Sequence, residues 1–371
     1  MKASGCSPES LPPPDDVSQN SKLPKTGAAI PPVNPLEDPL WDTKLAACPG
    51  ATFFHGSAWA RVLHDTYGFQ PVYFTLGGPE RIDALLPLME VNSWLTGRRG
   101  IGLPFTDECA PLCPDAGGFA PLYACALAHA RSRNWKYLEC RGGRSLFGDV
   151  PASTSFYDHL LDLRGGEAAL FARTEASVRR AVRKAEQSAL TITVAQDLAA
   201  VRTFYTLLCK TRQRHGLPAQ PFPFFANIHR HILARNQGQI ILAHHQGTPV
   251  AGAVYFHFGD TAIYKFGASD ETLQHLRANN LVMWEAIKWH AGHGFASLDF
   301  GRSSLANEGL RKFKLGWGTT ERQIDYVRQD LRSDAFVTVK DESAGWYNRI
   351  FNHLPVSLSR LAGSLLYKHV A

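Results

Sequence analysis

From residue 40 onward, two hydrophobic periods alternate along the chain. Val201, Phe204, Tyr205 and Leu208 recur at helical spacing and predict a helix over 198–214 with one buried face. The runs Gln239–His245, Val250–Phe258 and Thr261–Ala268 are apolar and β-branched, joined by Gln246-Gly247-Thr248-Pro249 and Gly259-Asp260, and predict a three-strand meander. Further strands are predicted over 156–163, 190–194, 297–300 and 323–327. Further helices are predicted over 224–235, 281–290 and 306–315, with one long basic helix over 167–187. Ahead of these, a helix capped by Ser57 precedes a hairpin over 71–89 that turns at Gly77-Gly78-Pro79. A helix over 120–133 and a short strand over 137–140 close that first unit, and the loop opening at Gly142-Gly143 is the natural boundary.

Both ends of the chain differ from this pattern. Residues 1–39 hold 9 of the 23 prolines and little apolar content, so they read as a disordered tail with structure beginning near Leu40-Trp41. Residues 331–371 read as a helical C-terminal arm, with Trp346, Phe351, Leu358, Leu361 and Leu365 among basic residues and a break at Pro355. The expected organisation is thus a tail over 1–39, one unit over 40–150, a second over 151–330 and the arm over 331–371. The arm is expected to dock on the globule, with peripheral membrane contact as the alternative.

With 44% apolar and 19% charged residues, the chain can build large cores, which excludes whole-chain disorder. No run approaches the roughly 18–20 apolar residues of a membrane span. The N-terminus lacks the apolar stretch of a secretory signal. Seven cysteines at irregular spacing read as reduced thiols, so a cytoplasmic protein is expected. Charge is local: 166–330 carries 20 basic against 13 acidic residues, which fits an anionic ligand better than general solubility.

The densest chemical signal is Leu298-Asp299-Phe300-Gly301-Arg302-Ser303-Ser304, followed by Arg311-Lys312-Phe313-Lys314-Leu315-Gly316-Trp317-Gly318. An Asp at a strand end followed by Gly lets backbone approach a ligand beside a carboxylate and a guanidinium. Lys314, flanked by Phe313 and Trp317, is a candidate for a partly desolvated ammonium aimed at an anion. The bland alternative is a structural Asp299–Arg302 pair and a surface lysine. Asp299-Phe300-Gly301 is not read as the kinase motif, because no glycine loop or His-Arg-Asp loop precedes it. Arg277-Ala278-Asn279-Asn280 opens a helix whose free N–H groups suit a phosphate or carboxylate, with Asn280 a candidate contact. Arg179, Arg180, Arg183 and Lys184 crowd one helix, with Arg179/Arg183 on one face and Arg180/Lys184 on another. They read either as a solvated face or as a grip on a polyanion such as tRNA or a phosphorylated sugar carrier. Cys109 and Cys113 have no second Cys/His pair, so no metal site is expected.

The order of elements from residue 156 on resembles a GNAT acyltransferase core. Several segments also resemble the FemAB-like branch of that superfamily, of the type associated with exosortase/PEP-CTERM and exopolysaccharide systems. They are Phe53-Phe54-His55, Tyr67-Gly68-Phe69, Leu103-Pro104-Phe105-Thr106-Asp107, Arg179–Ala185, Leu298–Ser303 and Phe313–Gly318. The resemblance implies an α/β (α+β) fold of two tandem GNAT-like domains, with mixed, mostly antiparallel sheets flanked by helices and a cleft between the domains. FemAB-type enzymes transfer an aminoacyl group from aminoacyl-tRNA to an amine of a peptidoglycan precursor. The resemblance places Lys314 at the lysine of the Phe-Lys-x-Gly-Phe-Gly motif, with Trp317 where Phe is usual and Arg302 where a second Gly is usual. The third meander strand would line the transfer cleft.

The expected catalytic residues are therefore Lys314, Tyr264 and Asp299. Substrate contacts are expected at Lys265, Asn280, Arg302, Ser303, Trp317 and Asp107, and anion contacts at Arg179, Arg180, Arg183 and Lys184. The glycine-rich pyrophosphate loop of ordinary GNAT enzymes is absent from the sequence. The expected function is acyl or aminoacyl transfer to an amine or hydroxyl of a cell-envelope glycan or peptidoglycan-type precursor, in the cytoplasm, with the inner face of the membrane as the alternative. No tightly bound cofactor and no DNA partner are expected, and the donor is left open between aminoacyl-tRNA and acyl-CoA. The alternatives are an acyl-CoA-dependent N-acetyltransferase and a non-catalytic scaffold for RNA or glycan carriers.

Overall fold

A computed structural model describes residues 30–339 and 355–369. The chain runs α1 (Trp41–Ala46), α2 (Ser57–Tyr67), β1 (Gln70–Pro71), β2 (Phe74–Gly78), β3 (Arg81–Leu86), β4 (Met89–Ser93), β5 (Gly97–Ile101), α3 (Ala116–Ser132) and β6 (Tyr137–Arg141). It continues through β7 (Thr154–Asp162), α4 (Gly166–Arg173), α5 (Ala176–Glu186), β8 (Leu190–Ala195), α6 (Leu198–Arg214), α7 (Phe222–His231), β9 (Gly238–His245), β10 (Thr248–Phe258) and β11 (Thr261–Ser269). The remaining elements are α8 (Ala278–Gly292), β12 (Ser297–Asp299), β13 (Ser303–Ser304), α9 (Glu308–Leu315), β14 (Thr320–Asp330), β15 (Ala335–Phe336) and α10 (Val356–Leu366).

Thirteen strands form one mixed sheet whose main path is β1-β4-β5-β6-β14-β7-β12-β11-β10-β9-β8, while β2 and β3 pair as a separate hairpin. The tandem arrangement is visible in this path: helices flank a mostly antiparallel sheet in each half, and β14 joins the halves. Its residues 320–326 pair with β7, and 326–330 with β6. The main core is also shared. Trp59 of α2 lies 5.8 Å from Phe224 of α7 and 5.9 Å from Phe256 of β10, measured between ring centroids. No helix among the described residues is long and apolar enough to cross a membrane.

Three expectations are corrected. The long basic helix is two helices, because Thr174 is extended. The N–H of Glu175 then donates to Gly316 O at 2.8 Å instead of continuing the helical ladder. Helix α2 is capped by the neighbouring α1 rather than by its own Ser57. The Asp42 carboxylate of α1 accepts from Ser57 N at 2.8 Å and Ser57 Oγ at 2.6 Å. The chain packs against the globule from before residue 40: Val33 exchanges backbone bonds with Tyr73, and Arg61 donates to Leu36 O at 2.9 Å. The rest of the expected tail, and the arm around Trp346 and Phe351, lie outside the described residues.

Within the arm, α10 docks on the globule. Gly363 packs against the backbone of Ala219, and Tyr367 Oη donates to Pro218 O at 3.1 Å.

Candidate functional site

The site is organised by two strands that part. β11 and β12 pair in parallel only over Thr261–Ile263 and Ser297–Asp299. Beyond that point Tyr264 and Lys265 continue on one side and Phe300, Gly301 and Arg302 on the other, with Asp107 packed against both Lys265 and Gly301. A bulge between Val254 and Tyr255 shifts the register of β10 on β11 at the same level.

A cavity of about 290 Å³ opens beside this fork, between β10/β11, α8 and α9, lined by Tyr255, Tyr264, Gly267, Met283, Leu310 and Phe313. Tyr264 is held there by the absence of a neighbour's side chain: a Cβ on Gly267 would stand 1.8 Å from the Tyr264 hydroxyl oxygen. Burial pushes the phenol up to about 12, so it stays protonated and can donate. Among the described residues the hydroxyl has no hydrogen-bond partner.

Behind the fork lies a buried charge cluster. Lys314, 3% exposed, donates from Nζ to Gly301 O at 2.5 Å and Arg302 O at 3.0 Å, tying α9 to the loop after β12. Burial pulls its pKa down to about 8, against the pull of Asp107, Asp299 and Asp158. Asp299 accepts from Gly301 N at 2.6 Å. Burial, and then the neighbouring Asp158, push the Asp299 carboxyl well above the usual carboxylate range. Asp158 is anchored by Arg322 at 2.8 Å, and Arg322 also pairs with Glu108.

Asp107 accepts from Lys265 Nζ at 2.9 Å and lies 3.9 Å from Arg302. Burial pushes its carboxyl upward, yet those two cations outweigh burial and hold it below its ordinary value. Lys265 is enclosed as well, 5.0 Å from the Phe54 ring centre and 5.8 Å from that of Trp59. Arg302 lies over the Phe156 ring at 4.2 Å and donates to Tyr326 Oη at 2.8 Å. Ser303 and Trp317 are buried, with no partner for Oγ or Nε1 among the described residues.

Of the expected residues, then, Tyr264 lines the cavity. Lys314, Asp299, Asp107, Lys265 and Arg302 form the charge cluster behind it. Lys314 does not itself line the cavity; its neighbours Leu310 and Phe313 do.

A second hollow, about 600 Å³, runs between α5, the start of α8 and α9. Arg180, Lys184, Arg277 and Lys312 line it together with Asn280, and Glu175 is its acidic member. The side chains of Arg180, Lys184 and Arg277 have no hydrogen bond or ion pair among the described residues. Arg277 holds a left-handed conformation, φ 58°, at the N-cap of α8. The four basic residues expected on one helix are therefore divided. Arg180 and Lys184 face the groove. Arg179 donates to Ala172 O at 3.1 Å and to Thr174 O, capping α4, and Arg183 lies 5.8 Å from the Phe171 ring centre.

Sequence reasoning did not single out Asp158, Glu108, Arg322 or the roles of Arg277 and Lys312. Asp158 had a weak signal, since Asp158-His159 interrupts the apolar run from Phe156 to Leu161; in the structure both are buried while Leu160 is exposed, the reverse of the ordinary pattern. Arg322 and Glu108 had none, because their pairing depends on β14 crossing between the halves.

A family model described as the acetyltransferase (GNAT) domain matches residues 172–315, which hold the fork, the cavity and Lys314. Curated protein sequences yield no match. Among solved structures, FemX is similar in fold, with a TM-score of 0.63 at 14% identity over 76% of this chain and 94% of that one. A tandem GNAT protein from the clavulanic acid biosynthesis pathway gives 0.52 at 12% identity, over 81% and 98%. A conserved protein of unknown function from Bacteroides thetaiotaomicron gives 0.51 at 12%, over 74% and 88%.

Proposed function

We propose that this chain, a GNAT-type acyltransferase with a FemAB-like tandem fold, moves an acyl or aminoacyl group onto an amine or hydroxyl of a cell-envelope glycan or peptidoglycan-type precursor. The observation that carries the reading is the fork: two parallel strands part after three residue pairs, with a protonated phenol at the cavity on one side and a buried ammonium behind the other.

In the proposed reaction the acceptor nitrogen or oxygen attacks the activated carbonyl carbon. The new bond forms as the ester or thioester bond to the donor breaks, and the acceptor's proton passes to the leaving oxygen or sulfur. Tyr264 donates a hydrogen bond to the developing oxyanion. An ammonium has three donors, and Lys314 commits two to the carbonyls of Gly301 and Arg302. Because it does not line the cavity, Lys314 acts on the negative charge born at the tetrahedral carbon through its field and by fixing the loop after β12, not as a direct donor. Asp299 acts as an orienting group, since its carboxyl already accepts from Gly301 N.

The groove of Arg180, Lys184, Arg277 and Lys312 would hold donor phosphates, which suits an aminoacyl-tRNA acceptor stem. A second reading takes the acyl group from coenzyme A. The match of 172–315 to an acetyltransferase domain favours it, as does the apolar cavity running along β11 to the start of α8. An acceptor carried on a lipid would set the enzyme at the inner face of the membrane, with the C-terminal arm near the bilayer.

The test offers the purified chain acyl-CoA and aminoacyl-tRNA pools with envelope precursors and follows transfer by mass spectrometry. One donor class is expected to turn over. Tyr264→Phe, and Gly267→Ala through displacement of the same ring, are each expected to lower kcat by about 100-fold without loss of fold. Lys314→Ala retaining full activity would remove its role. Tight, salt-sensitive binding with no turnover from either pool would make the protein a scaffold.

A further inference from the structure

An apolar surface lies open to water where the β4–β5 turn meets the C-terminal helix. The turn presents Trp94, 86% exposed, and Leu95, and α10 presents Leu358, Leu361 and Leu365, the last 64% exposed. Spacings of three and four residues put the leucines on one stripe of the helix. Single exposed leucines are ordinary. Here the two elements are joined by buried bonds that hold the apolar groups together. Ser93 Oγ and His369 Nδ1 are 2.8 Å apart, and Arg99 and Thr96 donate to His369 O at 2.8 and 2.9 Å. The Trp94 ring stands edge-on to that of His369, with centroids 5.4 Å apart.

Charge indicates what covers this surface. Residues 91–101 and 355–369 contain no Asp or Glu, and the C-terminal stretch that carries the leucines also bears the exposed Arg360, which lies over the Tyr205 ring, and the exposed Lys368. A second copy of the chain would bring the same sign of charge against itself, whereas an anionic lipid surface is complementary.

We propose that this surface seats the protein peripherally on an anionic bilayer. Trp94 and the three leucines enter the boundary between headgroups and acyl chains, and Arg360 and Lys368 meet lipid phosphates. The inference deepens the reading of a membrane-proximal enzyme and uses none of the transfer residues, so either can fail alone.

The test sediments the full chain with vesicles of phosphatidylcholine, alone or mixed with phosphatidylglycerol. The bound fraction is expected to be about tenfold higher on the mixed vesicles, to fall with added salt, and to drop by about tenfold in Trp94→Ser/Leu361→Ser/Leu365→Ser. Tryptophan emission is expected to shift to the blue on binding in the parent but not in Trp94→Phe, which covers the case of a triple variant that does not fold. Equal binding of parent and variants, or binding by neither, overturns the proposal. So does a dimer in light scattering that the triple variant dissolves, which would assign the surface to a second copy.

Discussion

Lys314 shows what burial does to a charge that the site is read to need. Its ordinary pKa of 10.5 falls to about 8 because the side chain leaves water, and the three nearby carboxyls recover only part of the loss. Between those values the unfolded chain binds more protons than the folded one, so stability rises with pH across that window. Relative to Lys314→Met, the parent is expected to gain roughly 3 kcal/mol between about pH 8 and 10.5, measured by urea unfolding at a series of pH values. Parallel curves for the two proteins would show the ammonium to be solvated. Lys314, Asp299 and Asp107 were legible as candidates because each sits in a compact motif. What each of them touches was not. The push of Asp158 on the Asp299 carboxyl depends on β7 and β12 lying side by side, 141 residues apart between those two residues.

At the scale of elements, helices and strands follow the apolar period closely, as α6, β9 and β10 show. The failures come where a tertiary contact outbids the local pattern. The basic stretch from 167 to 187 has uninterrupted helical character, yet it breaks at Thr174 because Gly316 offers Glu175 a backbone acceptor. The docking of α10 is likewise decided by contact. A Cβ on Gly363 would stand 1.8 Å from the carbonyl oxygen of Ala219, and backbone there has nowhere to retreat. Gly363→Val is therefore expected to release α10, costing about 1–3 kcal/mol, with faster proteolysis in 355–369 and loss of vesicle binding. An unchanged digestion pattern would mean that the helix is held by its other contacts.

Across the whole molecule, β14 ties the halves into one sheet, and the aromatic core of Trp59, Phe224 and Phe256 crosses the same boundary. Neither half can open without exposing the other's strands. Amides of β5 and β10 are expected to exchange with solvent by a common global opening, with the same free energy by hydrogen exchange. Distinct values would show two independently unfolding units. By itself the sequence determined the periodicities, hence most elements, and the clustering of positive charge and reactive side chains in 166–330, since these are properties of short stretches of chain. Only the tertiary structure decided which cations line a groove and which cap a helix, and that Lys314 is enclosed while Tyr264 opens on a cavity. Burial and electrostatic coupling are set by neighbours distant in sequence, and the crossing of β14 between β6 and β7 is what brings those neighbours together.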